Sequence, residues 1–100
     1  MGRLENMLEG LHKARSGLIR ALVKVSAGRI EDIIISGDFI IVPELFIDKM
    51  EESLIGVPAE KEKILEHLKS FYRDNVFQSP GTYPEDFVEA IMKAVGEKNG

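Results

Sequence analysis

The side chains that could carry out chemistry in this 100-residue chain are few and widely separated. The chain has no cysteine, which excludes disulfides, thiol nucleophiles, thiolate zinc sites and cysteine-ligated iron–sulfur clusters. His12 and His67 lie far apart and lack metal-ligand spacing. Because a catalytic histidine needs an oriented partner, both are predicted to be surface residues rather than a catalyst or a metal ligand.

The acidic residues also offer no convergent site. They occur as sequence neighbours in Glu31-Asp32, Glu51-Glu52 and Glu85-Asp86, and neighbouring side chains on a strand or helix diverge. We therefore expect them to face water. The sequence lacks the glycine-rich phosphate-binding patterns and a nucleophile elbow. No catalytic or metal-binding residue is predicted, and no cofactor is expected to bind to this chain alone.

Charge is distributed unevenly along the chain. Residues 1–29 carry six Lys/Arg against two Glu, whereas residues 30–100 carry seven Lys/Arg against fifteen Asp/Glu. A basic region can meet phosphate or an acidic partner surface, although solvated surface charges explain the same pattern.

A β-hairpin is predicted over residues 18–36, and it would position several of the basic side chains. Its first strand alternates apolar Ile19, Ala21, Val23 and Val25 with Arg20, Leu22 and Lys24, which is the period of a half-buried strand. Ser26 to Arg29 supplies a turn, where Gly28 can take positive φ. Ile30 to Ser36 is the partner strand. Its run Ile33–Ile35 breaks the alternation, which predicts burial on both faces or an edge covered by another element.

A short step, Gly37-Asp38-Phe39, follows the hairpin. Glycine permits a sharp turn, aspartate can accept hydrogen bonds from the turn's N–H groups, and phenylalanine can enter a core. Turn chemistry alone explains this pattern. The functional alternative is that the step presents a small surface loop to a catalytic partner.

Three helices are predicted after this step, so the expected fold is α+β, with a small antiparallel sheet of two to three strands and the three helices packed on one side of it. Pro43 is predicted as the first residue of one, with Leu45, Phe46, Met50 and Leu54 on its packing face, Glu51 and Glu52 in water and Gly56 as its left-handed cap. The second, 60–73, has the apolar stripe Ile64, Leu65, Leu68, Phe71 and Tyr72. The third has Thr82 as N-cap and Glu85 reaching back. Its packing face is Phe87, Ile91 and Val95, with Ala90 and Ala94 allowing close packing and Glu89 pairing with Lys93.

The amino-terminal region has mixed signals. Leu4, Met7, Leu8 and Leu11 have helical spacing, so residues 3–9 are interpreted as a loose helical turn or a disordered lead, and 10–14 as a strand. Residues 1–9 and 96–100 are expected to be loose around a single domain spanning 1–100. Charges interrupt the first 18 residues, and the longest apolar run, Phe39 to Val42, is too short to span a bilayer. We therefore expect cytoplasmic residence and no membrane partner.

The run GLIRALVKVSAGRIEDIIISGDF, followed by PE and EESLIG, resembles the C-terminal accessory domain of lipoate–protein ligases. The resemblance covers roughly Leu11 to Val95. No single motif is decisive, but the ordered series of strand, turn glycine, Gly-Asp-Phe, proline-started helix and glycine stop is fairly specific. In archaeal relatives this domain can be a separate small chain, and Met1 favours that arrangement here.

The resemblance implies a function that depends on a partner. In lipoate–protein ligases the large domain holds lipoate, ATP and Mg and carries the catalytic lysine. The small domain covers the adenylate site, and it is needed to activate lipoate to lipoyl-AMP and less so for transfer to the lysine of a lipoyl domain. This chain would then be a non-catalytic accessory subunit that forms a heterodimer with the catalytic subunit and acts indirectly on lipoyl-acceptor domains.

The resemblance also has one clear departure. Relatives usually have Lys-x-Pro-Gly-Gly-Lys, whereas this chain has Lys13-Ala14-Arg15-Ser16-Gly17-Leu18. Lys13 and Gly17 match. Leu18 replaces the second lysine, so Arg15 or Arg20 would have to supply its charge. The residues expected to face the partner or the adenylate are Lys13, Arg15, Gly17, Arg20, Lys24, Gly37, Asp38 and Phe39.

Of three other candidate functions, only that of an adaptor remains open at this point. The order of hairpin and helices is also similar to iron–sulfur scaffold proteins, whose function requires cysteines that this chain lacks. A non-enzymatic adaptor that shares this scaffold-like fold but binds another protein has the same sequence features. RNA binding through the basic strands would need stacking aromatics, and Lys13 to Ser36 contains none, so no nucleic acid is expected.

Overall fold

The computed structural model describes residues 6–96, and within this range it contains a three-stranded sheet and three helices. The elements are β1 (Leu8–Ala14), β2 (Gly17–Ser26), β3 (Arg29–Gly37), α1 (Leu45–Leu54), α2 (Lys61–Asp74) and α3 (Pro84–Val95). The strands are antiparallel and lie in the order β1-β2-β3. This confirms the predicted α+β fold class.

The alternation of β2 places one row of its side chains in the core. Ile19, Ala21 and Val23 have 0% exposure. Ile33 and Ile35 of β3 pair with Val23 and Ala21, so they lie on the same face and are also buried. The predicted hairpin is confirmed. Its turn has positive φ at two successive residues, as a two-residue hairpin turn requires.

The outer edge of β3 is covered, which explains its isoleucine run. The Ile35 N–H donates to the Glu51 carboxylate at 2.7 Å. The Ile30 N–H donates to the Val57 carbonyl at 2.9 Å, and the Ile30 carbonyl accepts from the Gly56 N–H at 2.8 Å. The prediction that Glu51 faces water is therefore wrong. α1 lies along this edge, and the Glu51 carboxylate accepts a hydrogen bond from the Ile35 N–H group.

The helices cover one face of the sheet. α3 lies across β1 and β2, α1 lies beside β3, and α2 packs against both helices. A Cβ at Gly10 would clash with the backbone of Ala90 and Ala94, so β1 and α3 approach closely through small residues, as the alanine spacing predicts. In the described range no helix combines the length and apolarity needed to cross a membrane.

The strand predicted over residues 10–14 is confirmed. The helical turn predicted before it is wrong for Leu8 and Glu9, which belong to the strand. β1 begins at Leu8, where Leu8 and Glu9 pair with Val23 and Leu22 of β2. The helical spacing of the leucines misleads because cross-strand pairing with β2 decides the conformation. The part of the predicted helical turn in residues 3–5 lies outside the described residues, as does the predicted frayed end at 97–100.

α1 starts later than Pro43. Its first helical residue is Leu45, and Glu44 is the N-cap. Phe46 and Ile47 donate to the carbonyls of Pro43 and Glu44, three residues earlier, so the chain makes a turn before the regular helix begins. Leu45 is 51% exposed, so its predicted place on the packing face is wrong.

The N-terminus of α3 is shifted by one residue from its prediction. Tyr83 is the N-cap, and its N–H donates to the Asp86 carboxylate at 2.9 Å. Thr82, predicted as the cap, is instead only 1% exposed. The Glu89 carboxylate lies 3.2 Å from Lys61 Nζ of α2, rather than pairing with Lys93 as predicted. The apolar stripes of α2 and α3 are confirmed, since their members are buried or packed against the core.

Candidate docking surface

The face of the sheet opposite the helices has an apolar centre. It consists of Leu11, Leu18, Leu22 and Ile34. Leu22 and Ile34 are direct cross-strand partners and are half-buried, while Leu11 and Leu18 are 45% and 41% exposed. We call this surface, together with Lys13, Arg20 and Lys24, the open sheet face. Clustered apolar side chains on an uncovered face are typical of an interaction site.

The basic residues of the open sheet face differ in their surroundings. Arg20 forms an ion pair with Glu9, and Lys24 Nζ lies 3.6 Å from the Glu31 carboxylate. Lys13 forms no ion pair with any described residue. Among these three basic residues of the open sheet face, the one without a described ion-pair partner therefore lies towards the β1–β2 turn.

That turn also places Arg15 near the same end of the sheet. Arg15 is exposed and, within residues 6–96, has no ion-pair partner. Lys13 lies directly opposite Leu18 in the β1–β2 register. The lysine that relatives have at the position of Leu18 is missing here, but its cross-strand neighbour is a cation. We call this end of the open sheet face, with Lys13 and Arg15, the basic end.

Gly17 and Gly37, both predicted to face the partner, allow the start of β2 and the segment after β3 to approach each other at the basic end. Gly17 has φ of 147°, and a Cβ there would lie 2.9 Å from the Asp38 Cβ. Gly37 has φ of 144°, and a Cβ there would lie 3.0 Å from the Leu18 carbonyl carbon. Neither position tolerates a larger residue without movement. The two glycines therefore shape this surface and do not themselves offer groups for chemistry.

The Gly37–Phe39 step turns from the surface into the core. The Asp38 N–H donates to the Leu18 carbonyl at 2.8 Å, so a backbone bond holds the turn. The Asp38 side chain is exposed and forms no hydrogen bond with a described residue. The Phe39 ring packs edge-on against Phe87 at 5.4 Å. Asp38 thus borders the open sheet face, whereas Phe39 contributes mainly to packing.

Polar contacts that the sequence analysis missed anchor the β1–β2 turn. The Ser16 N–H donates to the Gly81 carbonyl at 3.1 Å, and the Ser16 and Thr82 hydroxyls are hydrogen-bonded. Ser79 Oγ donates to the Thr82 carbonyl at 2.8 Å and lies 2.9 Å from the Tyr72 hydroxyl. Burial is the main cause that raises the pKa of Tyr72. The backbone that carries Arg15 is therefore fixed to the loop before α3.

The two histidines are half-buried rather than fully exposed, so the predicted surface position is only partly correct. His12 Nε2 lies 3.0 Å from the Asp86 carboxylate. His67 Nε2 lies 3.0 Å from the Ser53 hydroxyl, and burial lowers the pKa of His67. Each contact joins two secondary-structure elements. In the described part of the chain, no three His, Asp or Glu side chains are grouped so that they could hold a metal ion.

Comparisons with known proteins agree with one another. The family described as the bacterial lipoate protein ligase C-terminus matches residues 4–91. The chain is similar to lipoate-protein ligase A subunit 2 of Thermoplasma acidophilum, with 43% identity over 79 residues that cover 79% of this chain and 81% of that protein. Its structure is similar to a chain of the bi-partite lipoate protein ligase and E2 lipoyl domain system of T. acidophilum. The TM-score is 0.77 at 40% identity, covering 85% of this chain and 93% of that chain.

Proposed function

This chain belongs to the family of lipoate–protein ligase C-terminal domains, and we propose that it is the non-catalytic accessory subunit of a two-chain lipoate–protein ligase. In this proposal it forms a heterodimer with the catalytic subunit and is needed for the ATP-dependent activation of lipoate to lipoyl-AMP. ATP, Mg and lipoate bind to the catalytic subunit. The relatives that support the proposal are one subunit of such a ligase and a chain of a bi-partite one.

The observation that carries the proposal is the open sheet face. The helices cover the opposite face, so the exposed leucines on the open sheet face are left for another protein to bury. The molecule measures 32 × 26 × 23 Å, and one broad side of it can supply the roughly 800 Å² per partner that stable interfaces bury. Burying the exposed parts of four aliphatic side chains contributes on the order of a few kcal/mol to binding.

A lid explains how a chain without its own active site contributes to activation. Lipoyl-AMP is an acyl-adenylate that water can hydrolyse, and closing a second protein over the site excludes water. We place the basic end closest to the nucleotide, because Lys13 and Arg15 are cations without a described carboxylate partner and because the Ser16–Thr82 contact fixes their turn. Lys13 supplies positive charge beside Leu18, where relatives have a lysine.

The test is lipoate-dependent exchange between ATP and pyrophosphate, measured with the catalytic subunit alone, this chain alone and the two mixed. We expect exchange only in the mixture, together with a stable one-to-one complex in size-exclusion chromatography. Exchange by the catalytic subunit alone at the full rate would overturn the proposal, and so would exchange by this chain alone. Absence of both complex and exchange would favour an adaptor that serves another protein.

A further inference from the structure

A second exposed apolar surface lies between β3 and α1 and extends to the loop after α2. Ile40, Val42 and Leu45 are 62%, 55% and 51% exposed, and Val76 is 92% exposed. We call these four residues the apolar ridge. Large aliphatic side chains that are this exposed carry a cost in water that binding to another molecule removes.

The backbone holds the apolar ridge in a defined shape. Val42 and Gln78 exchange two backbone hydrogen bonds of 2.9 Å each, which tie the two segments of the ridge together. Ile41 is 4% exposed and Phe39 packs against the core. The extended segment therefore alternates inward and outward side chains, and Ile40 points outward because its neighbours anchor the chain. The ridge is a preformed surface of a folded segment.

Two hollows on the apolar ridge add shape and charge. One, of about 310 Å³, is lined by residues 39–42 with Glu44 and Ile47. The other, of about 400 Å³, is lined by Glu44, Leu45, Ile47 and Asp48. Both charged side chains that line these hollows are acidic. The open sheet face differs, because two cations without a described carboxylate partner, Lys13 and Arg15, lie at its basic end, which Asp38 borders.

We propose that the apolar ridge binds the lipoyl-acceptor protein next to its target lysine, while the open sheet face binds the catalytic subunit. This inference rests on the proposed function. Two apolar surfaces, one bordered only by acidic residues and the other bordered by Lys13 and Arg15 as well as Asp38, fit two partners of different chemistry. A lysine-bearing substrate fits Glu44 and Asp48, because an acidic border attracts a cation and favours its orientation. Asp38 packs against Gly17 beside the basic end, and the ridge begins at Ile40 directly after Phe39, so the ridge starts close to the basic end.

A capture surface of this kind acts on substrate binding rather than on activation. Lipoyl-AMP formation takes place without the acceptor, so the apolar ridge has no part in it. In the transfer step, contacts made equally in the bound and reacting complexes lower KM and leave kcat unchanged. The ridge is therefore expected to affect the KM for the acceptor protein alone.

The experiment compares two double variants in the reconstituted complex. Ile40→Thr with Leu45→Gln alters the apolar ridge, and Leu11→Thr with Leu18→Thr is the matched control on the open sheet face. For each we measure affinity for the catalytic subunit, lipoate-dependent pyrophosphate exchange without acceptor, and the KM for a purified lipoyl-acceptor domain. Thermal unfolding of each variant verifies folding, and Val76→Ser provides a second ridge variant at a fully accessible site.

The expected result is opposite behaviour of the two variants. The ridge variant raises the KM for the acceptor about tenfold and leaves subunit affinity and exchange as in the unmodified chain. The open-face variant weakens subunit binding. Glu44→Lys raises the acceptor KM by about threefold, with the effect fading in salt.

An unchanged acceptor KM for the ridge variants would overturn the inference. Loss of subunit affinity in the ridge variant would also overturn it, by making the ridge part of the contact between the subunits. Failure of the proposed function is recognised separately, because then the unmodified chain itself does not restore pyrophosphate exchange.

Discussion

The two faces of the sheet are built by the same strands and have opposite environments. On the covered face Ile19 and Val23 have 0% exposure, whereas on the open sheet face Leu11 and Leu18 keep 45% and 41%. Alternation along a strand assigns side chains to faces, but both faces here have an apolar centre. The difference teaches that the covered face determines whether the chain folds, and we expect the open one to determine what it binds.

The sharpest test of this comparison uses two adjacent isoleucines that point to opposite faces. Ile33→Ala is expected to lower the free energy of unfolding by about 2–5 kcal/mol, because it leaves a cavity at a residue with 0% exposure. Ile34→Ala, the matched control, is expected to cost about 1 kcal/mol, because Ile34 is only half-buried. Urea unfolding measures both values, and equal losses would contradict the assignment of the faces.

The second prediction concerns the exposed leucines. Leu11→Thr with Leu18→Thr is expected to weaken binding to the catalytic subunit at least tenfold, because the interface loses apolar area. Threonine keeps a preference for strands, so the free energy of unfolding should change by less than about 1 kcal/mol. Titration calorimetry with the catalytic subunit measures the affinity. Unchanged affinity in a folded variant would remove the open sheet face from the interface.

The third prediction separates cations that differ in their neighbours. Lys13→Ala is expected to weaken the complex about threefold, since it removes a cation without a described carboxylate partner. Arg20→Ala and Lys24→Ala are expected to have smaller effects, because Glu9 and Glu31 already engage these side chains. Affinities measured over a range of salt concentrations test this. A larger loss for Arg20→Ala than for Lys13→Ala would place the functional charge away from the basic end.

The smallest predicted effect is the contribution of His67 to the pH dependence of stability. Burial lowers the pKa of His67, so the folded chain binds this proton less readily than the unfolded chain. Stability is then unaffected above the ordinary histidine pKa of about 6.5 and falls as pH decreases below it. We expect the urea midpoint to drop between pH 7.5 and pH 5.5, and to drop less in His67→Gln. An identical decrease in both proteins would show that other groups cause the loss.

The sequence predicts those parts of the fold that depend on local pattern. The alternation in β2, the turn at Gly28, the positive φ of Gly56 and the apolar stripes of α2 and α3 all have the predicted form. In each of them neighbouring residues carry the signal. Period and turn conformation need no knowledge of the partner element.

Several of the wrong predictions involve partners that are distant in sequence. Leu8 joins a strand because β2 lies beside it, and Glu51 is drawn to the edge of β3. Thr82 is buried because Ser16 lies opposite its hydroxyl. Local capping and helix rules fail at these positions because a long-range contact offers a stronger alternative.

The candidate site was only partly visible in the sequence. Most of the proposed contact residues lie on or beside the open sheet face. Their charges are evident from the sequence, but it does not show that Arg20 and Lys24 are engaged in ion pairs with neighbouring carboxylates. The apolar ridge was missed. The run Phe39 to Val42 suggests burial as a whole, and alternation in the folded segment leaves Ile40 and Val42 outside.

The covered edge of β3 has a consequence for how the chain behaves at high concentration. Edge strands with free backbone groups recruit other strands and seed aggregation. Here the Glu51 carboxylate and the backbone of Gly56 and Val57 occupy the edge groups of Ile35 and Ile30. The isoleucine-rich strand, which has the composition most prone to intermolecular stacking, is thereby kept from pairing with a second molecule.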